Sequence, residues 1–389
     1  MREVRVNNPT RKKAVIVCTW DWYYHSHRRT IARMLQSAGY EVVLVTRVFE
    51  LRDEIEADGV RIIELPFSRP SLNPLKEYQL TRRLKKIYRQ EQPDLVFHIA
   101  FKPVLYGSLA ASSLDIPLQV NAIAGMGQLF LGKSLKIRMI RRLVMFLLRR
   151  GFRSSRTRLI VQNRRDLAFL KETLQMPDER LALIKGVGVD LDQFHPVDKP
   201  DRPPVISMVA RLIREKGVEE LVEATRILKA KGLDFKVRLV GDPDFDSPEQ
   251  ITRQQLTRWQ EEGLVHWTGF RKDIQQVNAE TDIAVLPSYS EGLPKSLMEA
   301  ASCGLPIVTT DNSGCSEVVE NGVNGWKVPV RNSVELANAL ARLIEDGEMR
   351  DSFGRASRRK AEAEFELGEI LRQTAEVCDL GSLKAQSQG

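Results

Sequence analysis

Apolar residues come in short, nearly unbroken runs along the first half of this chain, at 14–20, 41–47, 61–67, 94–100 and 117–123. Runs of that length predict strands buried on both faces of a parallel sheet, and the segments 26–40, 74–90 and 103–113 between them predict covering helices. The pattern breaks at HPVDKPDRPP (195–204), where four prolines in ten residues predict a linker. It then restarts. Strands at 204–211, 235–242, 265–270, 282–288 and 306–311 alternate with helices such as 215–231 and 249–262, and the tail beyond 335 reads as mostly helical. The expectation is two doubly wound α/β halves, 1–195 and 196–365, with a final helix from about 366 to 389 packing back on the first. A length of 389 residues suits two such domains better than one core. Ligands of such sheets are expected in the cleft outside the carboxyl ends of the strands.

The stretch richest in chemistry is DIAVLPSYSEGLPKSLMEAASCGLP, 282–306. A strand stops at Pro287, a short loop delivers Glu291, Gly292 frees the backbone, and a helix carries Glu299. Eight residues set two helical side chains roughly 80° apart, on one side of the helix. A helix start offers unbonded N–H groups and a positive dipole end, which favour a diphosphate. Two acids flanking that anion are placed to accept hydroxyl protons from sugars, so the stretch reads as a nucleotide-sugar site. Glu299 stands among Leu297, Met298, Ala300 and Ala301, where an unpaired charge is costly.

Composition narrows the class. An apolar fraction of 42% and a mean hydropathy of −0.28 fit a soluble globular protein, and no segment approaches the length of a spanning helix. The run 14–18 follows basic residues but is too short for a signal peptide and meets Asp21 at once. Cys18, Cys303, Cys315 and Cys378 have no C-x-x-C spacing and read as reduced, buried thiols of a cytosolic protein. The net charge of +8 is uneven: between Asp115 and Asp166 there is no acid but twelve Lys and Arg. Within that interval, 133–158 interleaves Ile137, Ile140, Leu143, Val144, Leu147 and Leu148 with basic residues at helical spacing. A basic amphipathic helix suits an anionic membrane surface, although a solvated helix packed on its own domain has the same pattern. Nucleic acid is not the expected partner, because no aromatic stacking platform accompanies the charge.

The chain resembles the retaining group-one glycosyltransferases (glycosyltransferase family four), whose two facing Rossmann-like domains form the GT-B fold. The resemblance rests on the Glu-x7-Glu element from Glu291 to Glu299, on ARLIREKG (210–217), on GVGVDLDQF (186–194) and on GCSEVVENGVNGWKVP (314–329). In the first half, FHIAFKPVLYGSLAA (97–111) and VNAIAGMGQLF (120–130) are similar to a subgroup building surface polysaccharides and lipid-linked glycans. The resemblance implies that Arg211 and Lys216 meet the donor diphosphate, Glu299 the ribose and Glu291 the transferred sugar. Gly292, Leu293, Lys295 and Ser296 would supply amides to the phosphates, since Pro294 has none, and the base (uridine by analogy) would lie near Gly269 and Arg271.

Acceptor-side residues are less sharply marked. Where relatives have a glycine-rich loop, this chain has TWDWYYHSHRR (19–29); Trp22 and His27 suit a saccharide-stacking wall, and packing of Trp20 and Tyr23 in the core is an equal reading. Lys102 is expected to balance phosphate charge. His98 is either a second ionisable group of that loop or a satisfied structural histidine, and Gly125 and Gly127 either admit a reacting sugar or make a tight turn. No cofactor and no metal are expected: Asp242 and Asp244 spell Asp-x-Asp but read as a turn. The implied enzyme is a retaining, metal-independent hexosyltransferase at the inner face of the cell membrane, acting on a lipid-linked or cell-envelope saccharide. A nucleotide-sugar epimerase of the same architecture and a membrane-surface scaffold are the alternatives.

Overall fold

The computed structural model describes residues 11–67, 74–125, 134–244, 247 and 249–381, and the chain divides into two compact units. The first comprises Met1–Val161, Leu167–Ile184 and Leu371–Gly389; the second comprises Gln162–Asp166 and Lys185–Ile370.

In the first unit, β1 (Lys13–Trp20), β2 (Glu41–Arg47), β3 (Arg61–Glu64), β4 (Leu95–Ile99), β5 (Leu118–Ile123), β6 (Thr157–Val161) and β7 (Leu181–Leu183) form one sheet in the order β3-β2-β1-β4-β5-β6-β7. Every pairing is parallel. Val15, Val17, Val43, Val45 and Val96 pack on Leu80, Leu84 and Tyr88 of the helix Pro74–Glu91. A second cluster joins Val104, Leu105, Ile123, Leu159 and Val161 to Met145, Leu148 and Phe152. The strand order reverses between β1 and β4, and in open parallel sheets ligands enter at that switch point.

Three local expectations are corrected. The aromatic run after β1 is helical (Asp21–His27), and a second helix, Arg29–Ser37, follows after a break at Arg28, whose φ is −136° and ψ 1°. Asp21 organises this corner. It is wholly buried and accepts the amides of Trp22 at 2.7 Å and of Phe49, Glu50 and Leu51 at 2.7, 3.1 and 3.2 Å. The basic segment is a helix only over Leu135–Gly151, because Thr157 already belongs to the buried strand β6. The proline-rich stretch is no loose linker: it lies inside the second unit. Arg202 donates to Asp282 at 2.5 Å, and Lys199 to the carbonyls of Asn278 and Ala279 at 3.0 and 2.6 Å.

The second unit holds β8 (Val205–Val209), β9 (Lys236–Val240), β10 (His266–Trp267), β11 (Ile283–Leu286), β12 (Ile307–Thr310) and β13 (Gly325–Val328), all parallel, in the order β10-β9-β8-β11-β12-β13. Its reversal falls between β8 and β11. The helix expected at 215–231 starts as a tight turn at Arg214–Lys216 and resumes as Val218–Ala230 after Gly217, whose φ of +77° turns the chain.

Four amides converge on Asp21, so Asp21→Ala should cost about 2–3 kcal/mol of stability, and Asp21→Asn less. Urea unfolding of the three proteins checks this; equal midpoints would show that the corner does not depend on the carboxylate.

Candidate active site

In the second unit the loops after β8, β11 and β12 are drawn together by backbone contact. The carbonyl of Glu215 accepts the Tyr289 amide at 2.8 Å and the Ser288 hydroxyl at 3.2 Å. A Cβ on Gly217 would stand 2.2 Å from the Pro287 oxygen, and one on Gly314 2.3 Å from the Gly292 oxygen, so neither loop approach tolerates a side chain. Asn312 donates to the Ser288 carbonyl at 2.9 Å and accepts the amides of Gly314 and Cys315 at 3.1 and 3.0 Å. From this frame Lys216 and Glu291 meet as an ion pair, 17% and 12% exposed. Arg211, just past β8, is paired with Asp244.

Glu291 lies before the helix, which runs from Lys295 to Ser302, so helical phase does not relate it to Glu299. Pro294 occupies the position preceding the first turn and leaves it uncapped by a side chain. Glu299 is buried, and burial pushes its carboxyl above the usual range against the opposing charge of Lys295, whose Nζ stands 3.3 Å away. Leu293 is buried, while Gly292 gives its carbonyl to Asn163 at 3.2 Å. Ser296 sits in the first turn, half-buried. Gly269 accepts the Gly241 amide at 2.8 Å with φ +72°, and Arg271 grips Asp273 with two bonds, at 2.7 and 2.5 Å.

In the first unit the acceptor-side candidates separate. Trp22 stacks on Trp20, with ring centres 5.6 Å apart, and His27 stacks on Tyr23 at 4.7 Å; all four are half-buried. The Lys102 ammonium donates to the buried Glu77 at 2.7 Å. His98 lies on β4. It is wholly buried, with Nδ1 2.7 Å from the Asn121 Oδ1 and Nε2 2.8 Å from the Tyr88 hydroxyl. Burial lowers its pKa to about 4, opposed only by the Asn121 bond. Gly125 has φ +139°, and Gly127 lies outside the described residues.

Comparison with known proteins decides the family. The description "Glycosyl transferases group 1" matches residues 190–360, and "Glycosyl transferase 4-like" matches residues 15–163. The N,N'-diacetylbacillosaminyl-diphospho-undecaprenol alpha-1,3-N-acetylgalactosaminyltransferase of Campylobacter jejuni is 30% identical over 340 residues, covering 84% of this chain and 88% of its own. The chain belongs to the group 1 glycosyl transferases. Two solved structures share the fold: sucrose-phosphate synthase from Thermosynechococcus elongatus (TM-score 0.78, 18% identity, 95% and 98% of the chains) and Anabaena HepE in complex with UDP and glucose (0.74, 20%, 95% and 99%). This is a glycosyltransferase of GT-B fold, and the epimerase alternative finds no support in these relatives.

Sequence reasoning missed Asn163 and Asn312 of this glycosyltransferase. Asn163 stands 129 residues from the Gly292 it holds, a separation that no local pattern reveals. Asn312 follows a strand, where an amide side chain bonding backbone two and three residues on makes a familiar turn, and that signal was available.

His98 sets a pH dependence. Its folded pKa lies below the ordinary 6.5, so the stability it contributes is complete above pH 6.5 and is lost as pH falls toward 4. The loss should approach about 3 kcal/mol by pH 4. Urea unfolding between pH 7 and 4 should show a flatter profile for His98→Gln than for the wild type; parallel profiles would rule it out.

Proposed function

We propose that this glycosyltransferase moves a sugar from a UDP-sugar onto a saccharide carried by a lipid diphosphate, with retention at the anomeric carbon and without a metal ion. The observation that carries the reading is the Lys216–Glu291 pair at the carboxyl ends of β8 and β11, where the second sheet reverses its order. The UDP in the HepE structure and the diphospho-undecaprenol in the Campylobacter relative's name support this choice of donor and acceptor.

In this reading the donor diphosphate takes Lys216 from Glu291 and Arg211 from Asp244. The freed Glu291 accepts hydroxyl protons of the transferred sugar and Glu299 those of the ribose, while amides at Gly292, Leu293 and Ser296 face the phosphates. The backbone near Gly269 and Arg271 borders the base. As the bond from the anomeric carbon to the diphosphate breaks, the acceptor hydroxyl adds on the same face and its proton passes to the departing phosphate oxygen. Two fixed cations meet the negative charge that develops there, the task a divalent ion would otherwise perform. Before the donor binds, Asp244 pairs with Arg211, which supports reading Asp-x-Asp as part of a turn.

Lys216→Ala should lower kcat roughly 100- to 1000-fold. With a UDP-sugar and a short-chain lipid-diphosphate saccharide, proton NMR should show the donor's anomeric configuration kept in the product. An inverted product would overturn retention, and activity lost to EDTA and restored by Mg²⁺ would overturn metal independence.

The reading places the enzyme peripherally on the inner face of the cell membrane. No helix among the described residues is long and apolar enough to cross a membrane. Support comes from the helix Leu135–Gly151: Met145 and Leu148 are buried, yet Leu135, Met139, Leu143 and Phe146 are 71%, 63%, 58% and 59% exposed. Those four positions fall within roughly 80° of the helix circumference. Exposed Arg138, Arg142 and Arg150 border the stripe, the arrangement of a helix lying in an anionic surface. The enzyme should co-sediment with vesicles containing phosphatidylglycerol and not with neutral ones. Replacing the four apolar residues by Ser should abolish this; unchanged sedimentation would remove the proposal.

A further inference from the structure

Arg28 breaks the helical run after β1, and its side chain folds inward until only 5% is exposed. Its Nε and Nη2 are buried and have no hydrogen-bond partner among the described residues. Those two N–H groups make one edge of the guanidinium fork, the edge that grips an oxyanion through two parallel bonds. On two other arginines of the chain a carboxylate fills that edge: Asp58 on the adjacent Arg29, and Asp273 on Arg271. On Arg28 no described residue fills it. Asp21, whose charge like that of Arg28 reaches the Cys18 thiol, has its oxygens committed to four backbone amides.

A buried guanidinium without an anion is expensive, and such a deficit is met when a ligand brings the missing charge. Arg28 stands where that ligand is expected. Its field falls on Cys18 near the carboxyl end of β1, the strand that parts from β4 at the first unit's switch point. Tyr23, stacked on His27, shares a side-chain hydrogen bond with the guanidinium but carries no charge to neutralise it.

We propose that Arg28 is the anion-receiving residue of the first unit and that it binds the diphosphate of the lipid-linked acceptor. The inference rests on the transferase reading above, in which Arg211 and Lys216 already serve the donor diphosphate.

The test is a calorimetric titration of inorganic pyrophosphate into the full chain saturated with UDP, which keeps the donor site filled. Saturable binding is expected, weakened at least tenfold by Arg28→Met and less by Arg28→Lys, which keeps the charge without the two-donor edge. UDP affinity should not change. The urea midpoint of Arg28→Met should hold or rise, since the buried charge removed had no anionic partner among the described residues. Equal pyrophosphate affinity in wild type and Arg28→Met, or UDP binding without pyrophosphate binding, overturns the role of Arg28 and leaves the transferase standing. Lost binding with a lowered urea midpoint in both variants assigns Arg28 to structure instead. Absence of UDP binding strikes the transferase reading, and the pyrophosphate titration still reports on Arg28.

Discussion

Three loops of the second unit touch backbone to backbone, and the meeting of Lys216 with Glu291 depends on that contact. Gly217 against the Pro287 carbonyl and Gly314 against the Gly292 carbonyl leave no room for a methyl group. Glu215 and Asn312 then stitch the same loops with hydrogen bonds. The consequence is electrostatic. Lys216 and Glu291, 75 residues apart in sequence, are forced into a partly buried pair whose partners must satisfy each other until a ligand does.

The same physics sorts the candidates of the first unit. His98, Lys102 and Arg28 are all ionisable side chains within or after β1 and β4, and their partners separate them. His98 has both nitrogens bonded in a closed site, whose burial favours the neutral ring against the pull of the Asn121 bond and suits a core role. Lys102 has Glu77. Arg28 has a two-donor edge that no described residue meets. Residue type alone ranked the first two above the third, and burial with an account of hydrogen bonds reverses the order.

What was legible in the sequence is what depends on local periodicity. Residues 41–47 and the strand β2 coincide, and the strands on either side of the Glu291 loop fall where apolar runs placed them. Misreadings arose where a tertiary partner overrides local pattern. The segment 195–204 has the composition of a linker, yet Asp282 and two carbonyls hold its cations within the second unit. The break at Arg28 divides a stretch whose spacing continues smoothly. Glu291 and Glu299 were legible as a pair through family resemblance, but the helical phase argument fails because the helix begins at Lys295, after Glu291. The basic helix was legible as amphipathic, while the existence of a second, solvent-facing apolar stripe was not. Periodicity reports that apolar residues are grouped and cannot say which group the core uses.

In the proposed reading the two cations of the second unit are preorganised for a diphosphate. Each is held by a carboxylate, Lys216 by Glu291 and Arg211 by Asp244, so neither has to be drawn from solvent when a diphosphate arrives. A diphosphate offers more charge than one carboxylate and can span both cations, so exchange favours it despite the two pairs broken. The exchange differs at its two ends. Arg211 is 43% exposed and water can replace Asp244 at little cost, whereas Lys216 is largely shielded and gives up Glu291 only to another anion. In the proposed reading, release of Glu291 is thereby tied to arrival of the diphosphate, and the acid that would read the sugar becomes available only when the sugar's carrier is in place.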